Sequence, residues 1–186
     1  MSHDKPVGES AGWHRVETTH PFVTPWLVLR QDRVQIENGP EIEYVYRVSK
    51  GAVLIVPVTH DGNMVLIKQY RYAVDTWCLE VPAGGMHDRE GAPPETVALE
   101  ELHEEAGATC ENLILISSTY SNNSTTDELM HTYLATGVEL HGYVQHEATE
   151  QIEVVTLPIA QAIQMARTGE MKDALSALAI LQCEPR

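Results

Sequence analysis

Four carboxylates fall within six residues in the run Glu100-Glu101-Leu102-His103-Glu104-Glu105, which continues into Ala106-Gly107-Ala108. Read as a helix, the segment opens at Pro93-Pro94-Glu95, because proline in the first helical positions forfeits only amide hydrogens that have no helical acceptor. Gly107 supplies the stop. Val97, Ala98, Leu102 and Ala106 recur at helical spacing and face a core. Glu101, Glu104 and Glu105 share an adjoining face, since residues three and four apart are neighbours there. Carboxylates packed in this way repel one another unless a cation neutralises them, and an all-oxygen ligand set suits magnesium or manganese rather than zinc. A solvated acidic face is the alternative; the loop Val81-Pro82-Ala83-Gly84-Gly85 and the helix stop lie where a metal site would use them, which favours the metal.

The elements that must position this helix are strands. Ala52 to Val58 and Met64 to Tyr72 read as two strands joined by the turn Thr59-His60-Asp61-Gly62-Asn63. Trp77-Cys78-Leu79-Glu80-Val81 leads from them into the loop. Before this core, Phe22 to Leu29 and Asp32 to Glu37 are strand-like, Asn38-Gly39 is a hairpin turn signal, and Glu41 to Val48 alternates as a half-buried partner strand does. After the helix, Asn112 to Ile116 and Met130 to Thr136 read as strands flanking the polar loop from Ser121 to Glu128, a suitable place to read a substrate. Ile152 to Val155 is a further strand, preceded by an acidic loop with Glu147 and Glu150. Pro158 to Thr168 and Met171 to Gln182 read as terminal helices packing Ile159, Ala162, Ile163, Ala166, Leu175, Leu178 and Leu181 inward.

The central segment resembles the Nudix box: Gly, five residues, Glu, seven residues, then Arg-Glu-apolar-any-Glu-Glu-any-Gly-apolar. Gly84 and Glu90 match the first spacing, and Glu101 to Ala108 match the end. Two departures stand out. Nine residues separate Glu90 from Glu100, and the expected arginine is Glu100. The extra residues fall in the loop from Gly91 to Pro94, where insertion costs little. A negative charge at position 100 is expected to raise neighbouring carboxylate pKa values in the absence of metal. His87, Arg89 and His103 are close enough in sequence to compensate, but each reads as a surface residue. The elements Gln69-Tyr70-Arg71 and Leu79-Glu80-Val81-Pro82-Ala83-Gly84 extend the resemblance to the ADP-ribose and nucleotide-sugar pyrophosphatase branch, over roughly residues 20 to 183.

The resemblance implies an α/β (α+β) chain with a Nudix fold, a mixed β-sheet sandwiched between helices, and an N-terminal antiparallel β-sheet subdomain. Residues 1–18 are expected to be a flexible tail, 19–49 a sheet and dimerisation segment, and 50–186 the hydrolase domain. It implies metal ligands Glu101, Glu104, Glu105 and the carbonyl of Ala83 for Mg2+ or Mn2+. Glu104 and Glu105 also take catalytic roles, with Glu150 orienting or deprotonating water and Glu147 as the second choice. Arg71 and Glu80 hold the substrate, although a strand-end surface arginine and an edge-strand carboxylate are the plain alternatives. Trp26 stacks on a base or serves as an interface or core tryptophan. Thr125, Asp127 and Glu128 meet a sugar or phosphate, or simply satisfy their own turn. Ser121-Asn122-Asn123 stands where typical ADP-ribose hydrolases carry Ser-Pro-Gly, leaving other nucleotide sugars and dinucleotides open.

Composition narrows the partners. A chain of 186 residues is long enough for one globular domain with a sizeable core. Its formal charge of −15 argues against nucleic acid, whose phosphates demand lysine and arginine clusters. A bridging cation still lets an acidic protein bind a diphosphate. Three cysteines without metal-ligand spacing suggest reduced thiols in a cytoplasmic protein. Residues 1–12 lack the apolar core of a signal peptide, and no apolar run approaches the roughly 20 residues of a membrane helix. The expectation is therefore a homodimeric, metal-dependent hydrolase that splits a nucleoside diphosphate derivative into a nucleoside monophosphate and a sugar phosphate. The alternative is a Nudix-fold nucleotide-binding or sensor protein that has lost hydrolysis. A third reading, a hydrolase of damaged nucleoside triphosphates, predicts a monomer.

Overall fold

In the computed structural model, residues 4–87, 89, 91–142 and 151–184 are described, and they divide into two compact units. One comprises residues 1–49 together with 122–128, and the other residues 50–121 and 129–186. The polar loop after Ser121 belongs with the N-terminal segment.

The smaller unit is a three-stranded antiparallel sheet of β1 (Trp13–Val23), β2 (Val28–Ile36) and β3 (Glu41–Val48), preceded by a short helix α1 (Pro6–Ser10). Two expectations need correction here. The stretch through residue 18 is not simply a tail: α1 lies within it, and β1 begins at Trp13, paired with Ile36. Nor is Phe22 to Leu29 one strand. Thr24 turns the chain, its Oγ1 accepting the backbone amides of Trp26 and Leu27 at 3.3 and 2.9 Å. Asn38, with φ of 57°, makes the second hairpin turn, which the Gly39 amide closes by donating to the Ile36 carbonyl at 3.0 Å.

The larger unit carries a mixed sheet in the order β11-β5-β4-β10-β8, formed by β4 (Ala52–Thr59), β5 (Asn63–Arg71), β8 (Ala108–Thr109), β10 (Leu129–Leu140) and β11 (Ile152–Pro158). Short β6 (Thr76–Glu80) joins β5, β7 (Ala83–Gly85) joins β4, and β9 (Asn112–Tyr120) joins β10. Among the described strands of this sheet, only the β4 and β10 pairing is parallel. Strand β4 is buried on both faces, which is why it reads as a continuous apolar run. Val53 and Ile55 pack with Val97, Ala98, Leu102 and Ala106 of α2 (Pro94–Ala106), whereas Leu54 and Val56 pack with Ala162, Ala166, Ala179 and Ile180 of α3 (Ile159–Thr168) and α4 (Ala174–Gln182). The sheet is thus sandwiched between helices.

The inward face of α4 differs from the expected one. Leu178 and Leu181 are 43% and 37% exposed, while Ser176, Ala179 and Ile180 are buried. Asp173 caps the helix by accepting the Ser176 amide, and Ser176 Oγ accepts the Val81 amide at 3.0 Å, so this polar anchor sets the helix's rotation. Cys78, Cys110 and Cys183 are free thiols. Burial pushes all three pKa values up, that of Cys183 to about 11, which suits packing rather than nucleophilic chemistry. No helix of the described residues is long and apolar enough to cross a membrane.

Candidate active site

Helix α2 begins at Pro93-Pro94 and ends at Gly107, whose φ of 58° is the left-handed cap that the sequence predicts. Its apolar stripe fixes the helix against the sheet and turns the acidic face toward β7. Glu105 is only 5% exposed and accepts the Ala83 backbone amide at 2.7 Å. A buried charge requires such a partner, and this one ties the helix to the loop. Glu101 comes closer still to that loop. A Cβ built on Gly84 would sit 2.0 Å from Cδ and Oε1 of Glu101, so the absence of a side chain at 84 makes room for the carboxylate. Glu105 thus meets Ala83 and Glu101 meets Gly84, while Glu104 lies on the same helix one turn from Glu101.

Arg89 is not the surface residue that the sequence suggests. Its side chain is 19% exposed and pairs with Glu100 through Nη1, while Nη2 lies 3.3 Å from Glu101 Oε1 and 3.1 Å from Glu104 Oε2. Burial works against its charge, but the fields of Glu101, Glu104 and Glu100 outweigh burial and raise its pKa. His87 and His103 are exposed. The signal missed in the sequence was charge complementarity across the loop: an arginine before the helix and a glutamate where an arginine was expected.

Arg71 and Glu80 face each other on the paired strands β5 and β6. Arg71 Nε donates to Glu80 Oε1 at 2.9 Å and Nη2 to Oε2 at 2.5 Å, a two-pronged ion pair with Glu80 buried. Hydrogen bonding to Glu80 raises the Arg71 pKa above its ordinary value, and the charges of Glu105 and Asp173 add to it. Arg71, Glu80 and Glu105 thus share one electrostatic neighbourhood.

The remaining predicted residues form other groups. Asp127 Oδ1 accepts the Ser49 amide at 2.7 Å, Glu128 accepts the Ser49 hydroxyl at 3.0 Å and pairs with Arg47, and the Thr125 carbonyl accepts the Arg47 amide. These contacts bind the loop to the end of β3 within the smaller unit. Trp26 is 74% exposed on the turn between β1 and β2. Glu90, Glu147 and Glu150 lie outside the described residues.

Among the described residues, no three His, Cys, Asp or Glu side chains are gathered closely enough to hold a metal as they stand. The donor chemistry nevertheless fits a hard divalent cation: oxygen donors only, on one helix edge, beside a loop whose Gly84 leaves them room.

A sequence model of the NUDIX domain family matches residues 48–178. The ADP-ribose pyrophosphatase of Bacillus subtilis (strain 168) is 31% identical over 148 residues, covering 79% of each chain. The methanol dehydrogenase activator of Bacillus methanolicus is 26% identical over 166 residues, covering 89% of each. A crystal structure of an ADP compounds hydrolase superposes with a TM-score of 0.80 at 18% identity, covering 91% of both chains, which agrees with the fold. With the acidic helix, the glycine loop and the sandwiched sheet in place, the chain belongs to the Nudix family of pyrophosphohydrolases.

Proposed function

We propose that the protein hydrolyses the diphosphate linkage of ADP-ribose or a nucleotide sugar, releasing a nucleoside monophosphate and a sugar phosphate, with magnesium or manganese. The observation that carries this reading is the juxtaposition of Glu105 with Ala83 and of Glu101 with Gly84, one turn from Glu104 on the same helix edge, in a chain whose similarity to an ADP-ribose pyrophosphatase spans most of both proteins. Glu101, Glu104, Glu105 and the Ala83 carbonyl are the residues that would hold the cation. Bound there, it neutralises diphosphate oxygens and lowers the pKa of an attacking water. Glu105, through its hold on the Ala83 amide, keeps that loop against the helix. Arg71, oriented by Glu80, presents a fixed cation to a phosphate or to the ribose side of the substrate.

The smaller unit supports a homodimer as the working form. Its sheet leaves Trp13, Val16, Phe22, Val23 and Val45 between 42% and 64% exposed, apolar side chains available to a second copy. Light scattering is expected to give twice the chain mass.

The test is incubation with ADP-ribose and a panel of nucleotide sugars plus magnesium or manganese, with and without chelator, measuring monophosphate release. Chelator-sensitive release is the expected result. Tight, metal-dependent ligand binding without turnover would move the assignment to a sensor. Gly84→Ala probes the same geometry. Its methyl group displaces only the movable end of Glu101, so the melting midpoint is expected to stay near that of the parent while turnover falls about 100-fold, as for a small misplacement of a reacting group. Unchanged turnover would show that the Glu101 carboxylate need not occupy its place beside the loop.

A further inference from the structure

Position 100 is a glutamate where the family pattern has an arginine, and the structure puts an arginine opposite it. The guanidinium of Arg89 reaches α2 from the loop after β7 and touches three of its carboxylates, with Nη1 on Glu100 and Nη2 at 3.1 Å from Glu104 and 3.3 Å from Glu101. A guanidinium is a rigid planar fork of N–H donors. One nitrogen shared between Glu101 and Glu104 therefore sets how far apart those two carboxylates stand. A carboxylate has about four lone-pair sites, so a single bond of this kind does not exhaust it as a metal ligand. Glu100 lies one turn from Glu104 and holds the other prong, so it acts as the arginine's anchor rather than as a fourth uncompensated charge.

We propose that Arg89 is a positioning residue for the cation site. It fixes the Glu101 and Glu104 carboxylates for a divalent ion, with Glu100 as its anchor, so that the charge lost at position 100 is restored from the loop that faces the helix. This rests on the reading of the acidic edge as a metal site.

Manganese binding to the full chain, titrated calorimetrically without substrate, tests it. Arg89→Ala is expected to weaken manganese about 10–100-fold, the range for removing a group that orients a metal ligand. Arg89→Lys, which keeps the charge but not the fork, is expected to fall between Arg89→Ala and the parent. It also serves as the deciding variant if Arg89→Ala does not fold. The reversal Arg89→Glu with Glu100→Arg is expected to recover most of the affinity that Arg89→Glu alone loses. Unchanged or tighter manganese binding by folded Arg89→Ala or Arg89→Lys would overturn the proposal, as would a lower metal-free melting midpoint with unaltered affinity. Glu104→Gln, run alongside, separates the two levels. Binding lost there but unchanged in the Arg89 variants overturns the arginine's role alone, whereas no manganese binding by the parent protein overturns the metal site and the arginine's role together.

Discussion

Glu104→Gln is expected to lower metal-dependent turnover roughly a thousandfold. The substitution keeps the side chain's shape and removes one negative charge from the set that faces the cation. A metal that polarises a phosphoryl oxygen contributes several kcal/mol to the transition state, and about 4 kcal/mol corresponds to the thousandfold loss. Glu104 is a suitable probe because its carboxylate is 38% exposed and its hydrogen bond from Arg89 can be kept by an amide oxygen. The melting midpoint without metal is expected to change little. Raising the manganese concentration is expected to recover part of the rate if affinity is what was lost. Parent-like turnover in the variant would remove Glu104 from the reaction and with it the acidic helix edge as the metal site.

The second large effect is on stability. Arg30 and Asp32 have side chains only 1% and 3% exposed, joined by Arg30 Nε donating to Asp32 Oδ1 at 2.8 Å. Thr18 Oγ1 adds a donor to the same oxygen at 2.6 Å. Removing one member of a buried pair strands the other charge, so Asp32→Asn is expected to reduce the unfolding free energy by about 3–5 kcal/mol, read from urea titration. Replacing both residues by apolar side chains of similar size is expected to recover most of it. The pair also sets a pH dependence. Burial alone would raise the Asp32 pKa, but hydrogen bonds from Arg30 and Thr18 outweigh burial and hold it below the ordinary value. A carboxylate depressed in the folded state stabilises fully above its unfolded pKa of about 3.9 and loses that contribution as pH falls through the folded value. Acid titration of the parent is expected to show this loss below about pH 4, and Asp32→Asn to lack it. A urea midpoint unaffected by Asp32→Asn would mean that the pair adds nothing to stability.

Much of the fold was legible because its signals are local. Pro93-Pro94 and Gly107 bracket α2, Asn38-Gly39 makes its hairpin, and the apolar run of β4 is a strand buried on both faces. The acidic edge was legible for the same reason, since helical spacing alone puts Glu101, Glu104 and Glu105 together. What escaped depends on partners distant in sequence. The turn at Thr24 lies inside an apolar run whose composition says strand, and one threonine side chain overrides it. Leu178 and Leu181 look like core residues, but α4 takes its rotation from Ser176 meeting Val81 across 95 positions. Arg89 has no periodic pattern of its own, so only the folded loop reveals the carboxylates that it meets. Asp127 and Glu128 have the chemistry of substrate contacts, yet their hydrogen bonds go to Ser49, 78 and 79 positions away.

A strand apolar on both faces has a problem of alignment. Slipping β4 by one residue would exchange its two cores without exposing anything polar, so hydrophobicity alone leaves its register weakly specified. Pro57 supplies the missing constraint. Successive backbone amides of a strand point to opposite sides, and Ile55 donates to the Pro82 carbonyl on the side of β7. The absent amide of Pro57 therefore falls on that same side, where the ladder has passed β7 and meets β5 only at Val58 and Met64. A slip by one would turn the proline toward β10 and delete a bond from the parallel ladder at the centre of the sheet. One imino acid thus keeps Leu54 and Val56 on the face of the terminal helices, and Val53 and Ile55 beneath the helix that carries the acidic edge.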